Sequence, residues 1–223
     1  MLVRENDVTL RGTDPATDGV QGIGGGAQAV TIRSSDNTLV ENLSISNGAA
    51  GGVITSLSRV TMNNCRVMNN HGRGIDASFA AIVIASNMTI SFNQGAGIVA
   101  RNSAEIFCIA CRAEGNTNFA GLATNAGLLS YLRSEVIGAR GIVASGGGAY
   151  ADIDCVNDPS PHPCSMQTTG IAAYGSGGTS YLFECRDFTG AVLADSAGTV
   201  SLLGARATAS SPGTPSSTRS AAR

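Results

Sequence analysis

The sequence predicts an all-β parallel β-helix, a solenoid of about eight coils of roughly 22 residues each. Three observations carry that reading. Gly followed by an apolar residue recurs at Gly52-Val53, Gly74-Ile75, Gly97-Ile98, Gly121-Leu122, Gly141-Ile142, Gly170-Ile171 and Gly190-Ala191, at spacings of 22, 23, 24, 20, 29 and 20. Asn recurs with the same period in two columns, Asn42/Asn64/Asn87 and Asn47/Asn69/Asn93/Asn116. Between these marks apolar residues alternate, as in Val60/Met62, Cys65/Val67 and Leu43/Ile45. Columns sharing one period define one repeated structural unit. Alternation marks short strands with one buried face, and no window carries a helical stripe. Three strands per repeat, joined by corners, stack each strand on its counterpart ~4.8 Å away in the next coil. Asn suits the corners because it tolerates the left-handed backbone region and its amide can bond along the stack.

In chain order, residues 1–12 read as a first strand and residues 13–28 as a long loop. Gly22-x-Gly24-x-x-Ala27 has the letters of a dinucleotide fingerprint, but Ala29-Val30-Thr31-Ile32 after it is a strand where that fingerprint needs a helix. Coils run from Val30 to about Ala205. The coil from Gly141 to Gly170 is long, and its excess forms a projecting proline loop over 156–164 that contains His162. A single β-helix domain over 1–206 and a Ser/Thr/Ala/Pro-rich disordered tail over 207–223 complete the organisation.

The segments Asp7–Gly12, Asn37–Gly48 and Val60–Ile75 resemble the coils of the right-handed parallel β-helix of the pectate-lyase-like superfamily, over about residues 7–205. The resemblance implies a substrate groove along the strand that follows each Gly-Ile pair. It also implies a polysaccharide partner and an extracellular or cell-surface location. Relatives carry more chain before a segment like Val8–Gly12, so this sequence is expected to be part of a longer protein. Met1–Asp7 does not read as a signal peptide. The Asn-Thr-Asp, Asp-Asp and Gly-His-Gly set of polygalacturonases, the Gln-Asp-Thr-Leu of pectin methylesterases and the Asp-Pro-His-Asp of alginate epimerases are all missing.

All 14 basic residues are Arg, against 16 acidic ones, and the net charge of −2 gives a nucleic-acid partner no electrostatic support. No apolar run reaches membrane-spanning length. Cys65, Cys111, Cys155 and Cys185 fall in one phase, shared by Leu43, Met88 and Val136, which reads as a buried column of small hydrophobes. Cys108-x-x-Cys111 leaves a redox or zinc alternative, without a second ligand pair. Cys155 and Cys164 bracket the proline loop, where a disulfide and two thiols are both open. Asn42-Leu43-Ser44 and Asn87-Met88-Thr89 are glycosylation sequons, but both Asn belong to the stacked column and are expected to stay unmodified.

Two clusters are candidate sites. On the groove strand, Ile75 inward places Asp76 outward; His71, Arg73 and Asp76, with Arg101 and Glu114 from later coils, form a polar cluster for substrate binding. The alternative is a solvated corner with an Arg73–Asp76 ion pair. The other outward residues of that strip are expected to be Ile54, Val99, Ala123, Val143, Ala172 and Val192, an apolar face suited to a partner or a second copy. One carboxylate falls short of the oxygens calcium requires, so no metal or other cofactor is expected. The second cluster continues the Asn42/Asn64/Asn87/Ala110 column as Glu135, Asp154 and Glu184, stacked carboxylates at the separations used by glycoside hydrolases. Phase counting sets Tyr131 beside Tyr150 and Arg133 beside Asp152, all outward, as substrate-binding residues. The alternative is an acidic, solvated edge. The function that follows is a carbohydrate-directed β-helix, a polysaccharide lyase or glycoside hydrolase if catalytic, with a non-catalytic adhesin-type or fibre-like rod as the other reading.

Overall fold

A computed structural model describes residues 1–23, 26–155, 164–183, 185, 188–205 and 207. Residues 156–163 of the proline loop, with His162, Glu184 and the tail after Ala207 therefore lie outside the described residues. The chain winds as a parallel solenoid. The first coil comprises β1 (Leu2–Val3), β2 (Thr9–Arg11) and β3 (Gly19–Gln21), and the second β4 (Gln28–Arg33), β5 (Thr38–Glu41) and β6 (Ser44–Ser46). Next come β7 (Gly51–Ser56), β8 (Arg59–Asn63) and β9 (Arg66–Met68), then β10 (Arg73–Ser78), β11 (Ile82–Ser86) and β12 (Thr89–Ser91). β13 (Ile98–Arg101), β14 (Glu105–Ile109) and β15 (Arg112–Glu114) complete the regular part. After β16 (Gly121–Thr124) and β17 (Leu128–Leu132), the last strand of one coil fuses with the first of the next. β18 (Glu135–Ser145), β20 (Ser165–Ser176) and β22 (Phe188–Asp195) alternate with β19 (Tyr150–Asp154), β21 (Thr179–Phe183) and β23 (Thr199–Leu203).

The stacked strands make three faces. Face A runs β1-β4-β7-β10-β13-β16-β18, face B runs β2-β5-β8-β11-β14-β17-β19-β21-β23, and face C runs β3-β6-β9-β12-β15-β18; β18 turns the corner between A and C. All pairs between these strands are parallel, and the solenoid makes about seven turns, slightly fewer than the eight coils expected. The loop read over 13–28 contains β3, which pairs Val20 with Ile45, so the first coil is complete.

The interior is a set of stacked columns. On face B one runs Val40, Met62, Ala85, Cys108, Tyr131, Ile153, Leu182. On face C another runs Ile45, Val67, Ile90, Ala113, Val136, Met166. Asn70, Asn93 and Asn116, all buried, form a ladder at the corner from C to A. Asn70 Nδ2 donates to Asn93 Oδ1 and Asn93 Nδ2 to Asn116 Oδ1, both at 2.9 Å. Each Oδ1 also accepts a backbone N–H from the preceding coil (Gly48, Asn70 and Asn93). Buried amides satisfied in this way rigidify the tube. The ladder explains the glycine column: a Cβ at Gly52, Gly74 or Gly97 would lie 2.8, 2.9 or 2.8 Å from the amide nitrogen of Asn70, Asn93 or Asn116. The predicted Asn47/Asn69/Asn93/Asn116 column thus splits in two. Asn47 and Asn69 hold the exposed left-handed corner, continued by Phe92 and Gly115, while Asn93 and Asn116 belong one residue further on, inside, with Asn70.

Asn42, Asn64 and Asn87 do stack, in the left-handed conformation at φ of 54°, 49° and 54°, and Asn64 Nδ2 donates to Asn42 Oδ1 at 2.8 Å. Their column continues through Ala110 and Arg133, not Glu135. The neighbouring buried column is Leu43, Cys65, Met88, Cys111, Ser134, Cys164; Ser134 and Cys164 stand where Val136 and Cys155 were expected. Cys108 and Cys111 are joined in a buried disulfide, so Cys111 is not a plain hydrophobe, and Cys155–Cys164 is a second disulfide. The Cys65 thiol is pushed up by burial.

Candidate functional site

Face A carries a depression of about 380 Å³, lined by Gln28, Ala50, Gly51, Ile54, Gly72, Arg73, Asp76, Gly95 and Arg101. Gly72 and Gly95 leave its corner bare, because a Cβ at either would run into the backbone of the preceding coil. At its centre is Asp76 on β10, outward between Ile54 of β7 and Val99 of β13 yet only 3% exposed. Arg101 Nε donates to Asp76 Oδ1 at 2.8 Å and Arg101 Nη2 to Oδ2 at 3.3 Å, while Arg73 Nη1 donates to Oδ2 at 2.5 Å. A carboxylate taking several charge-assisted bonds is a rigid anchor. Two guanidiniums share this one carboxylate, so the cluster keeps one net positive charge. Each guanidinium has five N–H donors, and most of them here point elsewhere than Asp76. Arg73 and Arg101 are both partly exposed and present that surplus to the depression.

Sequence reasoning brought Arg73, Asp76 and Arg101 together, and the structure does the same. His71 is exposed on the turn next to Gly72, with its backbone N–H on Gly48, and does not line the depression. Glu114 belongs to face C, where it pairs with Arg112 at 2.9 Å. Gln28 and Ile54 complete the lining; Gln28 was missed because its strand lay in the stretch read as a loop.

The acid column is not assembled. Glu135 stacks between Arg112 and Ser165 on face C, where Arg112 Nη1 donates to it at 2.7 Å. Asp154 stacks on Leu132 on face B. Arg133 occupies the corner at φ 48°, so Glu135 lies two residues beyond the column and Asp154 one before it. Glu184 lies outside the described residues. Tyr131 points inward: fully buried, it pairs with Cys108 and Ile153, and its hydroxyl donates to the Ala120 carbonyl at 2.8 Å. Gly121 makes room for its ring. Burial pushes its hydroxyl well above the usual tyrosine range. The outward strip also shifts. Ala123, Ala172 and Val192 face the interior, and Leu122, Tyr174 and Leu193 take their places, while Val99 and Val143 are buried.

Face B holds a second polar group. Tyr150, Asp152 and Asp154 alternate outward with the buried Ala151 and Ile153. Asp152 stacks between Ser130 and Tyr181, not beside Arg133, and Tyr150 between Leu128 and Thr179, not beside Tyr131. The Tyr150 and Tyr181 rings lie 5.1 Å apart at 32°. Asp152 is 7% exposed; Tyr150 Oη donates to its Oδ2 at 3.2 Å, and its Oδ1 accepts no hydrogen bond from the described residues. Burial raises the Asp152 carboxyl to about 6, with Asp154 adding to the rise and the Ser130 and Tyr150 hydroxyls opposing it. Burial and the Asp152 charge likewise raise Tyr150. Tyr181 was missed, although Thr179-Ser180-Tyr181 repeats the in/out phase of Tyr150-Ala151-Asp152.

Among the described residues no three His, Cys, Asp or Glu are grouped as metal ligands, and no helix is long and apolar enough to cross a membrane. Compared with known families, residues 8–155 match the model of the right-handed beta helix region. No curated protein and no solved structure gave a significant match.

Proposed function

The chain belongs to the right-handed β-helix family, and on that premise we propose that it is a carbohydrate-directed protein that holds an acidic polysaccharide strand across face A. The observation that supports this most is the Arg73–Asp76–Arg101 cluster, a buried carboxylate fixing two guanidiniums whose remaining donors line an open depression. Guanidinium forks match carboxylate and sulfate groups in geometry and charge. The separated positions of Glu135 and Asp154 support binding over two-carboxylate hydrolysis. Two disulfides support an oxidising, extracellular setting.

The test is titration of the full chain with polygalacturonate, alginate and a neutral glucan, with and without calcium, with the same mixtures assayed for unsaturated products and new reducing ends. Acidic strands should bind, neutral ones should not, and Arg101→Ala should weaken binding by about tenfold. Equal binding of the neutral glucan would remove this reading. A structural rod is the second reading, favoured by the exposed Leu193, Leu202 and Leu203 on the last rungs. Sedimentation at two concentrations tests it, and a strictly monomeric result counts against it.

A further inference from the structure

A carboxylate buried on the outside of a β-helix face, with one oxygen unpartnered, is costly to keep. Asp152 is in that position: Tyr150 serves Oδ2, nothing described serves Oδ1, and Ser130 and Tyr181 flank it on the neighbouring coils. Its surroundings are electron-rich. The Tyr150 and Tyr181 ring centroids lie 5.1 Å apart with the rings tilted by 32°, and Asp154 points outward from the same strand as Asp152, two residues on. A neutral hydroxyl donated to Oδ1 would supply a hydrogen bond but leave the buried charge unmatched. A cation supplies both, and aromatic faces attract cations in their own right.

We propose that the face formed by Tyr150, Asp152 and Tyr181 is a second ligand site, taking a protonated primary amine carried on an apolar-faced ring, as in an amino sugar. The ammonium donates to Asp152 Oδ1, Tyr150 keeps its bond to Oδ2, and the ring lies against the tyrosines. Oδ1 lies beneath the surface, so the amine enters with a side-chain rotation at this face. The site is chemically opposite to the depression on face A, where the surplus charge is positive, and it stands independently of the acidic-strand reading.

The experiment is calorimetric titration of the full chain at pH 7 with a glucosamine pentamer, the fully N-acetylated pentamer and cellopentaose. Binding of the first should exceed that of the other two by about tenfold or more, because acetylation removes the charge and the donors. Asp152→Asn should lose the same factor while remaining folded by circular dichroism, and Tyr181→Ala should weaken binding several-fold. Arg66→Ala, at an exposed arginine of face C outside both sites, serves as the control and should leave the amine affinity unchanged. Equal binding of the acetylated pentamer or of cellopentaose, undiminished binding by Asp152→Asn, loss of binding in Arg66→Ala, or no binding of the glucosamine pentamer would each overturn the proposal.

Discussion

Asp76 and Asp152 are both carboxylates buried on the outer surface of the same solenoid, at 3% and 7% exposure, yet their partners differ completely. Asp76 receives three hydrogen bonds from two arginines. Asp152 receives one from a tyrosine and keeps an oxygen without a partner among the described residues. Burial alone therefore says little about a carboxylate's state. Arg73 on its own strand and Arg101 on the next coil anchor the Asp76 carboxylate, whereas burial, with no cation among its described hydrogen-bond partners, holds the Asp152 carboxyl above the ordinary range. The solenoid supplies both environments from one backbone: Asp76 draws its donors from its own strand and from the next coil, and Asp152 draws one from its own strand.

The sharpest way to break the comparison is Asp76→Ala. It leaves Arg73 and Arg101 facing one another without their anchor and should cost about 2–3 kcal/mol in denaturant unfolding at low salt. A negligible cost would mean that the cluster is a solvated corner. Asp152→Asn should act in the opposite direction. The folded carboxyl sits near 6 against an ordinary 3.8, so the folded state holds its proton more tightly. That contribution to stability is full below about pH 3.8 and is lost as pH rises through about 6. The Asn variant should match the parent near pH 3 and exceed it at pH 7 by about 1–3 kcal/mol. Thermal unfolding across that range checks it, and a variant less stable at pH 7 would mean that the carboxylate has a cation.

Smaller effects refine the picture. Arg101→Ala removes two of the three bonds to Asp76 and Arg73→Ala one. Because both side chains are partly exposed, the first should cost about 1 kcal/mol and the second less, in chemical denaturation. Tyr150→Phe deletes the hydroxyl on Asp152 and should cost about 0.5–1 kcal/mol at pH 7, with the Asp152 titration, followed by carbon NMR of the carboxyl, moving higher still.

The sequence made the winding and face A legible, for a definable reason. The Gly52/Gly74/Gly97 column is steric, because asparagine amides occupy the space beside it, so its period survives small changes in coil length. Residues close behind those glycines, such as Asp76, keep their register. Faces B and C from β17 onward were read in the wrong phase because the left-handed corner after Ala110 is held by Arg133, a residue type that gives no corner signal. Taking Glu135 for the corner displaced it by two positions and Asp154 by one, and a one-residue slip reverses which way a strand's side chains point. Tyr131 follows from the same slip: phase counting set it outward, whereas the Ala120 carbonyl and the space at Gly121 receive it inside.

The Asn70–Asn93–Asn116 ladder has a consequence for how such a molecule can change length. Every rung donates and accepts in the same sense, so the series has a direction but no fixed number of members. A tandem duplication of one 23-residue segment, such as that from Asn70 to Asn93, would slot a new amide between two existing ones and restore every bond it interrupted. A deletion of part of a segment would strand an amide on each side of the cut. Length variation in this part of the chain should therefore come in whole coils.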